Sequence, residues 1–238
     1  MTSGVNLRRT AEDVVKRGFD FTVASVGLLV LSPLLAIIAV VIKLTSEGPV
    51  IYRGTRSGLG GKEFAIYKFR SMVGDAEKLG GMSTGKNDPR VTPVGSVLRR
   101  YKLDELPQLF NVFKGEMSLV GPRPEMPAYT KLYSERERVI LTVRPGITDF
   151  ASLEFIRLDE ALGSENPDLV YETRVRPLKN ALRVKYVETR SLWVDLKLIV
   201  RTVARLIGVG KASHVMALEP TETKGEPVHA ASSSLSKR

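Results

Sequence analysis

From Phe21 to Ile42 the chain carries no charged side chain. Drawn as a straight helix, that run reaches about 33 Å, enough to span a hydrocarbon core. Ser32-Pro33 interrupts it near the middle. Proline deletes a backbone hydrogen bond and crowds the preceding turn, so the pattern predicts a kink or a stop there. Two arrangements meet it: a kinked transmembrane helix, or a re-entrant pair of short helices, each about 14–17 Å long, that enters and leaves by one face. In either, the Ser32 hydroxyl can satisfy a carbonyl that Pro33 frees. Arg8, Arg9, Lys16 and Arg17 precede the run, and Lys43, Arg53, Arg56 and Lys62 follow it. Equal basic flanks give the positive-inside rule no preferred orientation, so both arrangements stay open. A cleaved signal peptide does not fit. Glu12 and Asp13 precede the run, and no small-x-small site follows it before Lys43.

After the run, PVIYRGTRSGLGGKEFAIYKFRSM predicts two short strands around the turn at Gly58–Gly61. Those glycines form neither a G-x-G-x-x-G nor a Walker loop. From Gly74 to Arg90 the composition predicts a loop. Helical patterns follow at Val94–Tyr101 and from Asp104 to Phe113, with Gly115 as a C-terminal stop. GPRP at 121–124 and RPGI at 144–147 predict rigid turns. The chain turns acidic around Leu153–Asp168, and a mixed helical region leads to residue 190. Ser191–Ile207 is amphipathic: Leu192, Leu196, Ile199, Val203 and Leu206 form one stripe, and Lys197, Arg201 and Arg205 another. With Trp193 near its start, this helix suits an anionic lipid interface or packing on the domain's own core, and both stay open. Beyond about Lys211 the composition predicts disorder. The fold class is mixed α/β, mainly helical with a short β-hairpin. The chain divides into a basic N-terminal segment (1–20), the membrane segment (21–43), a main domain ending in the amphipathic helix (44–210) and a tail (211–238).

Composition narrows the chemistry. Of 238 residues, 36 are Lys or Arg and 26 are acidic, a formal charge of +10. There is no cysteine, which excludes disulfides, thiolate metal sites and thiol catalysis. The only histidines, His214 and His229, lie near the C-terminus, so any bound metal calls for oxygen ligands. The positive excess implies an anionic partner: nucleic acid, lipid head groups or a phosphorylated substrate. Nucleic acid is disfavoured by the uncharged run, by basic residues spread along the chain and by the lack of a recognisable motif. Acid pairs stand at Glu12-Asp13, Asp104-Glu105 and Asp159-Glu160. Such pairs ordinarily decorate a solvated face or a helix's first turn. Asp104-Glu105 differs by its neighbours Arg99, Arg100 and Lys102, with Arg123 in a rigid turn beyond. A carboxylate held ionised among cations can attack phosphorus, or hold Mg²⁺ against a diphosphate. Lys68, Arg70, Arg99, Arg123 and Arg144 are the candidate phosphate-neutralising residues, Arg123 and Arg144 each fixed beside a proline.

KRGFDF at 16–21, Ser32-Pro33, YKFRSM at 67–72, DPRVTPVGSVLRR at 88–100, LDELPQLFNVFKGEMSLVGPRPE at 103–125 and RPGIT at 144–148 occur in that order. Together they resemble the monotopic phosphoglycosyl transferases among the bacterial sugar transferases, from about Lys16 to Gly210 and in their minimal form. The resemblance implies transfer of a sugar-1-phosphate from a UDP-sugar to undecaprenyl phosphate, releasing UMP and initiating surface polysaccharide or glycoconjugate assembly. It implies that Asp104 is the nucleophile of a phosphosugar-aspartyl intermediate and that Glu105 helps to hold Mg²⁺. It implies a re-entrant membrane helix bent at Ser32-Pro33, and a catalytic domain on the cytoplasmic face of the bacterial inner membrane, among membrane lipids and without nucleic acid. Homo-oligomerisation is left open. One departure concerns the sugar. Many members read RPGITG and later Asn-Gly-Arg, whereas this chain reads RPGITDFASLEF, with Asp149 in place of the glycine. The rival reading is a non-catalytic, membrane-anchored assembly adaptor.

Overall fold

The computed structural model describes residues 2–74, 76, 79, 88–155 and 167–209, with side chains from residue 11 onward. Most of the predicted loop 74–90, much of the acidic stretch with Asp159-Glu160, and the tail 211–238 lie outside the described residues.

The membrane segment is not divided into two short helices. A single helix, α1 (Thr2–Thr45), runs through Pro33 and takes in the basic N-terminal segment as well. Pro33 leaves the carbonyl of Leu29 without its helical donor, and the Ser32 hydroxyl donates to that same oxygen at 2.7 Å. The repair keeps the helix continuous. One stripe of α1 packs on the rest of the chain. Ala24 lies among Ile66, Val112 and Met117, while Ile38 and Ile42 lie among Phe69 and Leu98. Polar anchors flank these contacts: Arg17 donates to the carbonyls of Val112 and Phe113, and Asp20 accepts from the Leu119 amide. The opposite stripe, including Val26, Leu29, Val30, Ile37 and Leu44, is exposed.

The predicted hairpin is present. β1 (Ile51–Ser57) pairs antiparallel with β2 (Glu63–Phe69) across a 3₁₀ turn at Leu59–Gly61. Helix α2 (Pro93–Arg100) is capped by the Thr92 side chain, which accepts from the Gly95 amide. The predicted helix from Asp104 to Phe113 is divided. Leu103–Glu105 form a 3₁₀ turn, and α3 (Gln108–Lys114) begins only after Pro107, which has no amide to donate. Gly115 ends α3 in the left-handed conformation, as predicted.

A second sheet joins β3 (Ser118–Val120) in parallel to β4 (Gly146–Thr148). The backbones of Gly121 and Gly146 approach so closely that a side chain on either would meet the other's main chain. GPRP and RPGI are thereby pressed together. The chain continues through α4 (Pro127–Thr130), a 3₁₀ turn at Glu137–Thr142 and α5 (Phe150–Glu154). Then α6 (Pro167–Val170) passes through a π turn (Tyr171–Val175) into α7 (Arg176–Thr189), and α8 (Leu192–Leu206) follows. Val120, Val143, Tyr186, Val187 and Leu198 form the core beneath the second sheet. Helix α8 meets that core through Asp195 and Leu198; of the predicted stripe, Ile199 packs against the core while Leu192, Leu196, Val203 and Leu206 stay exposed.

Candidate active site

Asp104 and Glu105 stand on the 3₁₀ turn between α2 and α3, preceded by Lys102 in the left-handed conformation (φ 57°). That sharp turn directs the two carboxyls inward, and Asp104 is 6% exposed. Two cations from separate elements converge on Glu105. Lys68 on β2 brings its Nζ to 3.2 Å from Oε1, and Arg123 from the GPRP turn donates to the same oxygen. Arg123 is itself fixed, its guanidinium donating to the Ile147 carbonyl and its backbone amide to Asp149.

The shared burial separates the two acids. For Glu105, burial favours the neutral form, but Arg123, Lys68 and Lys102 outweigh it and hold the carboxyl well below the usual range. For Asp104, burial and the charge of Glu105 push the carboxyl up, opposed by Lys68, Lys102 and Arg99. Burial also lowers Lys68, against the pull of Glu105. Of the two, Glu105 is therefore the more firmly ionised carboxyl. Among the described residues Asp104 Oδ1 is buried without a hydrogen-bond partner, as are both polar side-chain atoms of Gln108, four residues on.

Oxygen donors suit Mg²⁺, which commonly takes one or two protein carboxylates and completes its shell with phosphates and water. Among the described residues the bonds to Glu105 fall on Oε1 and not on Oε2. Among the described residues no group of three His, Cys, Asp or Glu could enclose a metal. Glu105 Oε2 is the oxygen donor the dyad could offer to such an ion.

The remaining predicted residues divide. Arg99 donates to the Ser71 hydroxyl at 2.9 Å, and its charge is felt at Asp104. Arg70 is 7% exposed and grips the end of α1, donating to the carbonyls of Ser46 and Pro49 at 2.8 and 2.7 Å. Arg144 donates to the Gly115 carbonyl at the end of α3. Neither of these two meets the dyad. Ser32 and Pro33 lie exposed on α1. Sequence reasoning noticed Lys102 only as a neighbour and missed Gln108, which sits in an unremarkable helical pattern. It also missed the network behind Arg123. Asp149 is fully buried, caps α5 by accepting from Ser152, and faces Arg183 at 3.9 Å. Arg183 in turn donates to Glu125 at 2.8 Å.

Set against known proteins, the chain matches the family described as bacterial sugar transferase over residues 11–208. It is 39% identical over 212 residues to the UDP-glucose:undecaprenyl-phosphate glucose-1-phosphate transferase of Caulobacter vibrioides, covering 88% of this chain and 76% of that protein. A protein of the same description from Escherichia coli is 42% identical over 205 residues, covering 84% of this chain and 40% of its own length. The UDP-N-acetylgalactosamine-undecaprenyl-phosphate N-acetylgalactosaminephosphotransferase of Aeromonas hydrophila is 36% identical over 196 residues, covering 81% and 44%. The chain thus spans less than half the length of the latter two relatives.

Proposed function

The chain belongs to the bacterial sugar transferase family, and on that premise we propose that it moves a sugar-1-phosphate from a UDP-sugar to undecaprenyl phosphate. The observation that carries this reading is the dyad: a buried carboxyl with a free oxygen beside a second carboxyl clamped by two cations. Asp104 attacks the sugar-bearing phosphorus, and an Asp104–phosphorus bond forms. The bond from that phosphorus to the bridging oxygen breaks, and UMP leaves with the electron pair. An oxygen of the lipid phosphate then attacks the same phosphorus, and the Asp104 carboxylate is released. Lys68, Arg123 and, from α2, Arg99 supply positive charge to the phosphoryl oxygens, where positioning and neutralisation dominate the barrier. Arg70 and Arg144 keep α1 and α3 in place. Glu105 holds Lys68 and Arg123 in register and offers its remaining oxygen to Mg²⁺, which when bound neutralises diphosphate charge. The exposed apolar stripe of α1 supports attachment to the cytoplasmic face of the inner membrane, where a lipid phosphate presents its charge.

UMP release by protein in nanodiscs tests the reading, with Mg²⁺, undecaprenyl phosphate and a panel of UDP-sugars that includes glucose and N-acetylgalactosamine. Turnover requires both substrates and falls about a thousandfold or more in Asp104→Asn, which remains folded. Wild-type rates in that variant would remove Asp104 as nucleophile. No release from folded wild-type protein with any sugar would bring the adaptor reading forward.

A further inference from the structure

Gln108 is fully buried, yet among the described residues neither its amide nitrogen nor its amide oxygen has a hydrogen-bond partner. Asp104 Oδ1 is in the same condition. The backbone winds from the 3₁₀ turn through Leu106 and Pro107 into α3, with Leu106, Leu109 and Phe110 each donating three residues back. Asp104 and Gln108 lie four residues apart on that continuous path, a little over one turn. Each buried polar atom left unpaired costs stability, and an apolar side chain of Gln108's shape would remove two of them. A position that retains such atoms beside the dyad serves something other than stability.

We propose that Gln108 is a positioning residue for Asp104: its side-chain N–H donates to Asp104 Oδ1 as the carboxylate attacks, so that Oδ2 is the oxygen aimed at phosphorus. This rests on the function proposed above. With Oδ1 held, the carboxylate keeps one rotation, and the reacting oxygen stays within attack distance.

Gln108→Met keeps length and volume but removes both polar atoms; Gln108→Glu keeps the shape and an oxygen but loses the donor. Both are measured beside wild type and Asp104→Asn for UMP release and melting temperature in the same nanodiscs. The expected result is a kcat lowered about ten- to a hundredfold in both variants, with KM for the UDP-sugar unchanged. Gln108→Met is further expected to melt no lower than wild type. Wild-type kcat in Gln108→Met, or in Gln108→Glu alone, overturns the inference while leaving the function intact, provided Asp104→Asn is inactive. Failure of both variants to fold assigns Gln108 to the core and overturns it as well. A wild type that releases no UMP removes the function and this inference together.

Discussion

Lys179 lies over the rings of Tyr171 and Phe155, its Nζ 5.0 and 5.7 Å from their centroids. Burial comes first among the causes that push it down to about 7; Arg183 and Arg123 add to the effect, and Glu125 and Asp149 oppose it. An unfolded lysine holds its proton to about pH 10.4. Between about 7 and 10 the unfolded chain therefore binds a proton that the folded chain lacks, and stability rises with pH across that window. Below about 7 both states are protonated, and the burden of a buried ammonium is constant and largest. Lys179→Met should raise the melting temperature at pH 6.5 and flatten its rise toward pH 9.5. Parallel curves for variant and wild type would show that Lys179 stays charged. The same scale explains why basic motifs were only partly legible. Lys68 and Arg70 are two residues apart, but β2 ends at Phe69, and Arg70 meets the carbonyls at the end of α1 rather than the dyad. Composition reveals that an arginine is present, not which acceptor its fork reaches. Asp104-Glu105 stood out in the sequence because Arg99, Arg100 and Lys102 precede it, whereas the cations that reach Glu105, Lys68 and Arg123, lie far from it along the chain.

At the scale of elements, α1 is held by one body at both ends of its uncharged run. Arg17, Asp20 and Ala24 meet α3 and β3, while Ile38 and Ile42 meet β2 and α2. From Ala24 to Ile38 a helix advances only about 21 Å, less than the roughly 30 Å of a hydrocarbon core. A helix that keeps both sets of contacts is therefore expected to return its two ends to one face. Single cysteines at Ala11 and Thr45, in a chain with none of its own, should both react with an impermeant maleimide in inverted membrane vesicles. Protection of either one would mean that α1 crosses. The proline alone could not show in advance that the helix stays continuous. The sequence pattern called for a break, and the outcome depended on a single hydroxyl placed to take the freed carbonyl. The hairpin and the Gly115 stop were legible because strand alternation and a left-handed glycine are local signals. The pairing of β3 with β4 was not, since three-residue strands carry no period and their contact depends on two distant glycines.

At the scale of the molecule, α8 sets exposed basic and apolar side chains side by side. The start of α8 is tied to α1 just before its uncharged run begins: Lys16 bridges to Asp195 at 2.5 Å, and Arg190 to Asp13 at 2.6 Å. Leu192, Trp193, Leu196 and Val200 are exposed there, beside the exposed Lys197 and Arg201. Apolar side chains edged by cations suit the head-group region of anionic lipid. The sequence offered both a lipid face and a core face for α8. The structure divides them, with Leu198 inward and most of the predicted stripe outward, a choice fixed by which residues face Val120 and Tyr186. Trp193 is the only tryptophan in the chain, so its fluorescence reports this face alone. In nanodiscs carrying lipids brominated at shallow or deep acyl positions, the shallow bromines should quench Trp193 more strongly. Lys197→Gln with Arg201→Gln should weaken that quenching, each lysine or arginine near an anionic surface being worth about 1 kcal/mol. High salt should weaken it in the same direction, while Asp104→Asn should leave it unchanged, because attachment and chemistry reside in different elements. Emission indifferent to bromine at every depth would mean that α8 faces water, leaving α1 as the membrane attachment.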